Sequence, residues 1–447
     1  MAAKASAVAR IGAFANYPCS ATRLTASTRT RSSRTWFGLR LTRTLEVEKR
    51  CSSSESACPN VPRVLQSRVN PPPPPLLPCP LMWFLLVYLP KRRFEKHLWA
   101  VSEETPRSAM KVLGVEFAPL NVPLKRRLQT AGVLFLTVSF VFGGFFWSAL
   151  FAYIFFYTNY YWIPLLYAIW YVYDRDAPKR GGHQSQWVRN WRLHKYAGAY
   201  YPVKLVKTSE LPTNRNYILG YHPHGIMCMG AMCNFGTEAT GIAELFPGIR
   251  IHVLTLNVNF LFPVQRELLM YHGLCSVDRD SLNWILTKQG TGNAAVVAVG
   301  GAQESLDAHK DTYIITLKNR KGFIRCALKS GADLVPVFSF GENNIFTQMK
   351  NPRGSRLRWL QEKLKSITGV APPIFYGRGI LQYTWGYMPF REKIVTVVGK
   401  PIHVDKNENP TDEEVDLLHE KYVASVNQLF EDHKAQYASK ECTLTIV

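Results

Sequence analysis

Asn216-Tyr217-Ile218-Leu219-Gly220-Tyr221-His222-Pro223-His224-Gly225 is the stretch on which the reading of this 447-residue chain turns. Its first half, Asn216 to Gly220, is short and apolar with aromatic and β-branched side chains, and it predicts a buried strand. Its second half ends that strand. Pro223 fixes its own φ and pushes His222 into an extended conformation. Gly225 permits a sharp turn or a close approach to a ligand. Two imidazoles therefore stand at a stiff strand end. Imidazole titrates near neutrality, so His222 and His224 are candidate general bases. Two histidines at i and i+2 of an extended segment are also half of a metal site, yet no third ligand with zinc-like spacing lies nearby. The plain alternative is a pair of hydrogen-bonded structural histidines in a turn.

The surrounding chain repeats the strand signal. Apolar, β-rich runs recur at Tyr217–Gly220, Ile251–Leu256, Ala294–Val299, Leu334–Phe340 and Ile394–Val398, with helix-like segments such as Ser281–Lys288 and Phe323–Ser330 between them. This alternation predicts an α/β domain over 174–447, a largely parallel sheet with flanking helices. Near the end, Thr411 and Glu414 have the spacing of a capping box. Val415, Leu418, Tyr422, Val426 and Leu429 then keep one apolar face, which predicts a packing helix rather than one lying on a membrane.

Upstream the character differs. Residues 131–173 contain no charged side chain. A helix needs about 20 apolar residues to cross the hydrocarbon core, so the run is long enough for two passes. Gly143-Gly144, Thr158-Asn159-Tyr160-Tyr161 and Pro164 offer breaks. Lys125-Arg126-Arg127 precede the run and Arg175, Lys179 and Arg180 follow it, a pattern that places both ends on the cytosolic side. The expectation is a transmembrane or re-entrant helical hairpin over 131–173, entered from a cytosolic segment, 110–130, and anchoring a cytosolic domain.

Residues 1–109 read as a basic, proline-rich disordered extension, with Met110 as an internal start. They hold 17 Lys/Arg and 6 Asp/Glu, so a quarter of the chain carries half of the net charge of +22. Residues 1–45 lack acidic side chains, which also resembles a mitochondrial transit peptide. Pro71 to Pro75 favours polyproline II, and Leu81–Leu89 is too brief to span a bilayer. The body of the chain is only moderately basic. That balance suits an anionic lipid face or a phosphate-rich substrate and does not argue for nucleic acid. The nine cysteines form no CxxC pair, which fits a reducing compartment and excludes a zinc ribbon or disulfide framework. There is no G-x-S-x-G elbow and no P-loop. Gly290-Thr291-Gly292-Asn293-Ala294-Ala295 precedes a strand instead of following one, so it reads as a turn and not a dinucleotide fingerprint.

Several further blocks carry a family resemblance: Tyr200-Tyr201-Pro202, Tyr221–Met227, Phe246-Pro247-Gly248, Pro263-Val264-Gln265-Arg266, Gly300-Gly301-Ala302-Gln303-Glu304-Ser305, Arg320-Lys321-Gly322-Phe323, Leu334-Val335-Pro336, Phe340-Gly341-Glu342-Asn343, Gly377-Arg378-Gly379 and Val398-Gly399-Lys400-Pro401-Ile402. From about Val115 to its C-terminus the chain resembles the type-2 diacylglycerol acyltransferase family, which includes the acyl-CoA:monoacylglycerol acyltransferases. Gly114–Leu120 and Arg126–Thr130 are similar to the start of the monoacylglycerol branch, while Tyr221 and Thr237-Glu238-Ala239-Thr240 are similar to the diacylglycerol branch. Many members carry Phe where Tyr200 or Tyr201 stands, and the family's neutral-lipid motif is met only loosely by Phe135-Leu136-Thr137-Val138.

The resemblance implies a membrane-anchored, glycerolipid-acyltransferase-like fold in the endoplasmic-reticulum membrane, with lipid-droplet association and homo-oligomerisation open. It implies acyl-CoA as co-substrate with no metal or redox cofactor, and conversion of 2-monoacylglycerol to diacylglycerol, extending to triacylglycerol. A diacylglycerol acyltransferase or a wax- or retinyl-ester synthase on the same fold is the nearest alternative; a silent lipid-binding membrane protein is the non-enzymatic one. His222 or His224 is then the base, in a loop shaped around substrate by Pro223 and Gly225. Gly300 and Gly301 offer main-chain N–H groups to an oxyanion. Arg266, Arg320, Lys321 and Arg378 are candidates for the phosphates of coenzyme A. Related glycerolipid acyltransferases place an Asp five residues after the His, but here those positions are Met227 and Met229. Glu304 is the candidate carboxylate instead, and which imidazole it partners stays open.

Overall fold

The computed structural model describes residues 110–119 and 121–447. The expectations for 1–109, including the transit-peptide resemblance, the polyproline run and the disordered extension, lie outside the described residues.

A seven-stranded sheet organises the body. Its strands in chain order are β1 (Lys204–Lys207), β2 (Tyr217–His222), β3 (Arg250–Thr255), β4 (Leu274–Ser276), β5 (Asn293–Ala298), β6 (Asp333–Phe340) and β7 (Val395–Val398). Their order across the sheet is β1-β7-β6-β2-β5-β3-β4. All five expected strands are present within a residue or two of the apolar runs. The two short edge strands, β1 and β4, were not expected, because three or four residues leave no periodicity to read. The sheet is mixed. β2 runs parallel to both β5 and β6, with Tyr217 opposite Ala294 and Asp333, whereas β7 is antiparallel to β6 and carries β1 parallel to itself.

Every residue of β2 is buried, and its side chains alternate between two cores, as the period of an extended chain requires. Ile218 joins the core made with α6 (Arg279–Thr287), α7 (Gly322–Ser330) and α9 (Asp412–Tyr437). Tyr217, Leu219 and Tyr221 point to the opposite core, with Phe235, Phe246 and Leu269. α9 starts with the expected capping box: Glu414 N donates to Thr411 Oγ1 at 3.2 Å and Thr411 N donates to Glu414 Oε2 at 2.8 Å. Its five expected apolar positions are all buried, so it is a packing helix.

The uncharged run is divided among α1 (Leu124–Val141), α2 (Gly143–Tyr157) and α3 (Trp162–Tyr173). Gly143-Gly144 and Thr158–Tyr161 lie at the breaks, as the sequence suggests. α1 begins ahead of the uncharged run and packs on α4 (Arg192–Tyr200), where a Cβ at Gly132 would lie 2.7 Å from Leu193 O. No single described helix is long and apolar enough to cross a membrane; α1 and α2 together reach that length, with a 65° bend between them. α3 buries no residue, and Phe145, Phe146, Phe156, Leu166, Ile169 and Val172 are all exposed.

Candidate active site

Three neighbouring parallel strands, β5, β2 and β6, end at the same edge of the sheet. Ligands of open α/β sheets gather at carboxyl ends of this kind. β2 delivers His222 to Gly225, with a cis peptide at His222–Pro223. β5 delivers Gly300, Gly301 and Glu304. β6 delivers Glu342.

The loop after β5 is built around Glu304. Its carboxylate folds back over Gly300, where a Cβ would lie 2.0 Å from Glu304 Cδ and Oε1. Gly301, at φ 54° and ψ −144°, adopts a backbone conformation that is in practice open only to glycine. Glu304 is buried, and Oε2 accepts the His224 main-chain N–H at 2.8 Å while Oε1 accepts that of Thr316 at 2.8 Å.

The two imidazoles have different surroundings. His222 is fully buried against α9: Nε2 lies 3.1 Å from Tyr422 Oη, which donates in turn to Gly220 O at 3.2 Å. His222 Nδ1 has no hydrogen bond and lies 3.8 Å from Glu304 Oε1. That separation is electrostatic contact, beyond hydrogen-bonding range. His224 is half-buried, and its Nδ1 lies 2.9 Å from Gly225 O. A carbonyl oxygen only accepts, so Nδ1 carries the proton and the lone pair of the neutral ring is on Nε2. Glu304 thus faces the ring of His222 and holds the main chain of His224.

His224 lines a cavity of about 290 Å³. Gly301, Ala302 and Ser305 border the cavity as well. Its other walls are largely apolar, including Phe135 and Leu136 of α1, Met227, Met232 and Leu269. A second cavity, of about 260 Å³, is lined by Arg189, Glu238 and Arg250 and touches none of these residues.

Glu342 and Tyr422 are site residues that the sequence did not single out. Glu342 is buried, and its oxygens accept from Tyr221 Oη at 3.0 Å, Met229 N at 2.7 Å and Gly230 N at 2.8 Å. Burial pushes its carboxyl up to about 7, against the pull of those three donors. A Cβ at Gly225 would lie 2.6 Å from Glu342 Cγ, so this glycine is required by the carboxylate behind it. Glu342 does stand in a quoted block, Phe340-Gly341-Glu342-Asn343, whereas Tyr422 reads only as a core position of α9.

The four expected phosphate ligands are dispersed among different partners. Arg266, in α5 (Gln265–Tyr271), is buried, donating from Nη2 to Asp174 O at 2.7 Å and Asp174 Oδ2 at 3.1 Å, and from Nη1 to Glu267 Oε1 at 2.7 Å. Its guanidinium is consumed by two carboxylates, which makes it a structural cation. Arg378 is also buried, donating to Tyr200 Oη at 2.7 Å and Thr130 Oγ1 at 3.3 Å. Lys321 pairs with Asp416 of α9 at 2.5 Å. Arg320 is exposed.

The model of the family described as diacylglycerol acyltransferase matches residues 153–447. The chain belongs to the diacylglycerol acyltransferase family. Similar members of that family come from both branches named above. Diacylglycerol O-acyltransferase 2 of Homo sapiens is 48% identical over 319 residues, 71% of this chain and 82% of that protein. The protein of the same name from Xenopus tropicalis is 50% identical over 312 residues, 70% of this chain and 86% of its own length. 2-Acylglycerol O-acyltransferase 1 of Bos taurus is 46% identical over 327 residues, 73% of this chain and 97% of that protein. Identities this close do not separate the two branches. Among solved structures, the 1-acyl-sn-glycerophosphate acyltransferase of Thermotoga maritima matches with a TM-score of 0.34 and 14% identity, over 70% of this chain and 98% of that one.

Proposed function

We propose that this protein transfers the acyl group of acyl-CoA to the free hydroxyl of a monoacylglycerol, and of a diacylglycerol in turn, with His224 as general base. The observation that carries the assignment is the placement of His224. Of His222 and His224 it is the one that borders the apolar cavity, and its Nδ1–H···O=C bond leaves Nε2 to take a proton; His272 borders the cavity too, but its ring nitrogens are engaged with Leu268 O at 2.7 Å and His194 Nε2 at 3.1 Å. In this reading Nε2 removes the acceptor's hydroxyl proton as that oxygen attacks the thioester carbonyl. The main-chain N–H of Gly300 is the candidate donor to the tetrahedral oxyanion, since that of Gly301 is bonded to Ala298 O at 3.0 Å. As the C–S bond breaks, the imidazolium returns the proton to the departing thiolate, leaving the new ester and free coenzyme A. Glu304 is a positioning residue, anchoring His224 through its main-chain N–H. His222 stands behind the loop between Glu304 and Tyr422.

The same reading places α2 and α3 in the endoplasmic-reticulum membrane as a bent, hairpin-like anchor. Their exposed Phe, Leu, Ile and Val side chains support it, since apolar surface of that extent is covered by lipid or protein. The family's substrates are themselves lipids, and the cavity wall includes α1, the helix that leads into this segment. The test is an assay of microsomes expressing the chain, given labelled acyl-CoA with monoacylglycerol, diacylglycerol or fatty alcohol in parallel. Glycerolipid products that His224→Ala lowers by about 100-fold or more, a usual scale for loss of a general base, are expected. Unchanged turnover in His224→Ala, or product from fatty alcohol alone, overturns the proposal.

A further inference from the structure

The catalytic cavity has a second polar station, at the end of β3. Thr255 is the last residue of that strand, Asn259 stands in the helical turn Asn257–Phe260 that follows it, and both line the cavity. Register fixes their place. Leu219 of β2 and Val253 of β3 flank Val296 of β5 from opposite sides. Two residues on, Thr255 is therefore level with Tyr221, just short of the histidine loop. Neighbouring strands lie about 4.8 Å apart, so β3 is about 10 Å from β2. His224 and the Thr255–Asn259 pair thus reach one cavity from two strand ends, with β5 between them.

Other oxygen- and nitrogen-bearing side chains of the cavity wall are already occupied within the protein. Ser139 Oγ donates to Phe135 O at 2.5 Å and Ser305 Oγ to Ala302 O at 2.9 Å. Both ring nitrogens of His272 are engaged. Gln265 donates from Nε2 to Phe140 O at 3.3 Å, and its Oε1 is enclosed against Gly143. The pair on β3 differs. Asn259 Nδ2 donates to Thr255 Oγ1 at 2.8 Å, and both side chains are half-buried. Among the described residues, nothing takes the Thr255 hydroxyl proton or donates to Asn259 Oδ1. One donor and one acceptor therefore remain side by side on an otherwise apolar wall. That is the complement of an alcohol hydroxyl, which both donates and accepts. An ester oxygen only accepts, so it would satisfy Thr255 and strand Asn259 Oδ1, and a methyl group would satisfy neither.

We propose that Thr255 and Asn259 receive the non-reacting hydroxyl of a monoacylglycerol while His224 receives the reacting one, so that this pair sets the choice of acceptor. The inference rests on the acyltransferase reading above and deepens it. A 2-monoacylglycerol carries a free hydroxyl on each terminal carbon of its glycerol. A diacylglycerol puts an ester at one of those positions, and a fatty alcohol has nothing there. Phe135 and Leu136 of α1, and Ala371 beyond α8 (Arg356–Thr368), belong to the apolar wall that is left to the acyl chain. In this role Thr255 and Asn259 take no part in proton transfer; they determine specificity by holding the glycerol.

The experiment gives microsomes expressing the full chain two acceptors with the same acyl chain: 2-monoacylglycerol, and 2-acyloxypropan-1-ol, in which hydrogen replaces the second hydroxyl. Wild-type kcat/KM is expected to be about 10-fold higher for the monoacylglycerol, well beyond the roughly 2-fold that two equivalent hydroxyls give by number alone. Asn259→Leu and Thr255→Val should each lower kcat/KM for the monoacylglycerol by about 10-fold and leave the deoxy acceptor within about 2-fold of wild type. Thr255→Ser keeps the hydroxyl and should stay close to wild type on both. The proposal is overturned if the wild type uses both acceptors equally after the factor for number, if the variants lose the same fraction on both, or if Thr255→Ser fails as Thr255→Val does. The wild-type comparison decides even where a variant does not fold. A wild-type chain that acylates neither acceptor sinks the acyltransferase reading itself, a distinct outcome.

Discussion

Glu304→Gln tests the mechanism at its most loaded contact. The carboxylate accepts two main-chain N–H groups at 2.8 Å, one from His224 and one from Thr316, in a buried setting. Hydrogen bonds to a charged acceptor contribute about 1.5–3 kcal/mol each. Glutamine is the same size but keeps a single acceptor, so one N–H faces an NH2 group and loses its partner, at a cost of about 1–3 kcal/mol. The change also removes the negative charge 3.8 Å from His222 Nδ1. If that energy reaches the transition state through misplacement of His224, kcat falls by about 10- to 100-fold with little change in KM for acyl-CoA. Gly300→Ala gives an independent route to the same displacement. The three atoms nearest its added Cβ, at 2.0–2.3 Å, are Cδ, Oε1 and Cγ of Glu304. The alanine should therefore cost at least 10-fold in the native background and almost nothing on a Glu304→Ala background, where those atoms are gone. Initial rates in microsomes over a range of acyl-CoA concentrations measure both. Unchanged turnover in Glu304→Gln, or an equal penalty from Gly300→Ala in both backgrounds, refutes the reasoning.

Glu342 makes stability pH-dependent. Its folded pKa of about 7 lies above the ordinary value of 4.5, so folding favours the protonated form. That contribution is fully present below about pH 4.5 and is lost as pH rises through about 7, amounting to about 3 kcal/mol. Glu342→Gln should remove this part of the slope in thermal melts at pH 5 and pH 8; an unaltered slope refutes the assignment. Arg266→Ala should destabilise the protein by about 3–5 kcal/mol, because Asp174 and Glu267 lose their buried partner. A 10-fold rise in KM for acyl-CoA with no fall in melting temperature would return Arg266 to phosphate binding. Thr411→Ala removes the side-chain half of the α9 capping box and should cost about 1 kcal/mol without affecting turnover; a large loss of activity would show that α9 does more than pack.

The strands were legible because each is a continuous apolar run, but such runs carry no direction. β7 reads like its neighbours and nevertheless runs antiparallel to β6. The helical breaks at Gly143-Gly144 and Thr158–Tyr161 were legible from turn chemistry. The start of α1 was not, because its first turns carry Lys125, Arg126 and Arg127 on an exposed surface and a helix does not stop at charge. In the site, His224, Glu304 and the paired glycines came from the sequence. Glu342 was missed as a role because it reads as loop just after a strand, and its donors are main-chain groups invisible to side-chain motifs. Arg266 misled for a related reason: its partner Asp174 lies 92 residues earlier in the chain. No spacing rule joins such a pair.

The absence of an Asp five residues beyond either histidine looked like a gap in the catalytic set. The sheet resolves it through register and not through local sequence. β2 lies between β5 and β6, parallel to both, so an acid placed just after either neighbour arrives at the end of β2 without appearing near it in the chain. β5 supplies Glu304 to the His224 main chain, and β6 supplies Glu342 to Met229 and Gly230. Met229 is itself one of the two positions where the Asp is missing, and here its N–H is bonded to a carboxylate from the next strand. A carboxylate inside the loop moves with the loop, whereas one just beyond a flanking strand is anchored by a separate part of the sheet. The two glutamates therefore clamp the His222–Gly230 segment from both sides, and at Gly225 and Gly230 an added Cβ would run into Glu342. On this argument Gly225→Ala should act through Glu342 as Gly300→Ala acts through Glu304. Its added Cβ meets Glu342 Cγ at 2.6 Å, and its φ of +64° adds backbone strain that no carboxylate substitution relieves. Activity lost in Gly225→Ala should therefore be recovered only in part on a Glu342→Ala background, in contrast to the near-complete masking expected for Gly300→Ala. Equal masking at the two positions would mean that the loop, and not the clamp, sets the placement of His224.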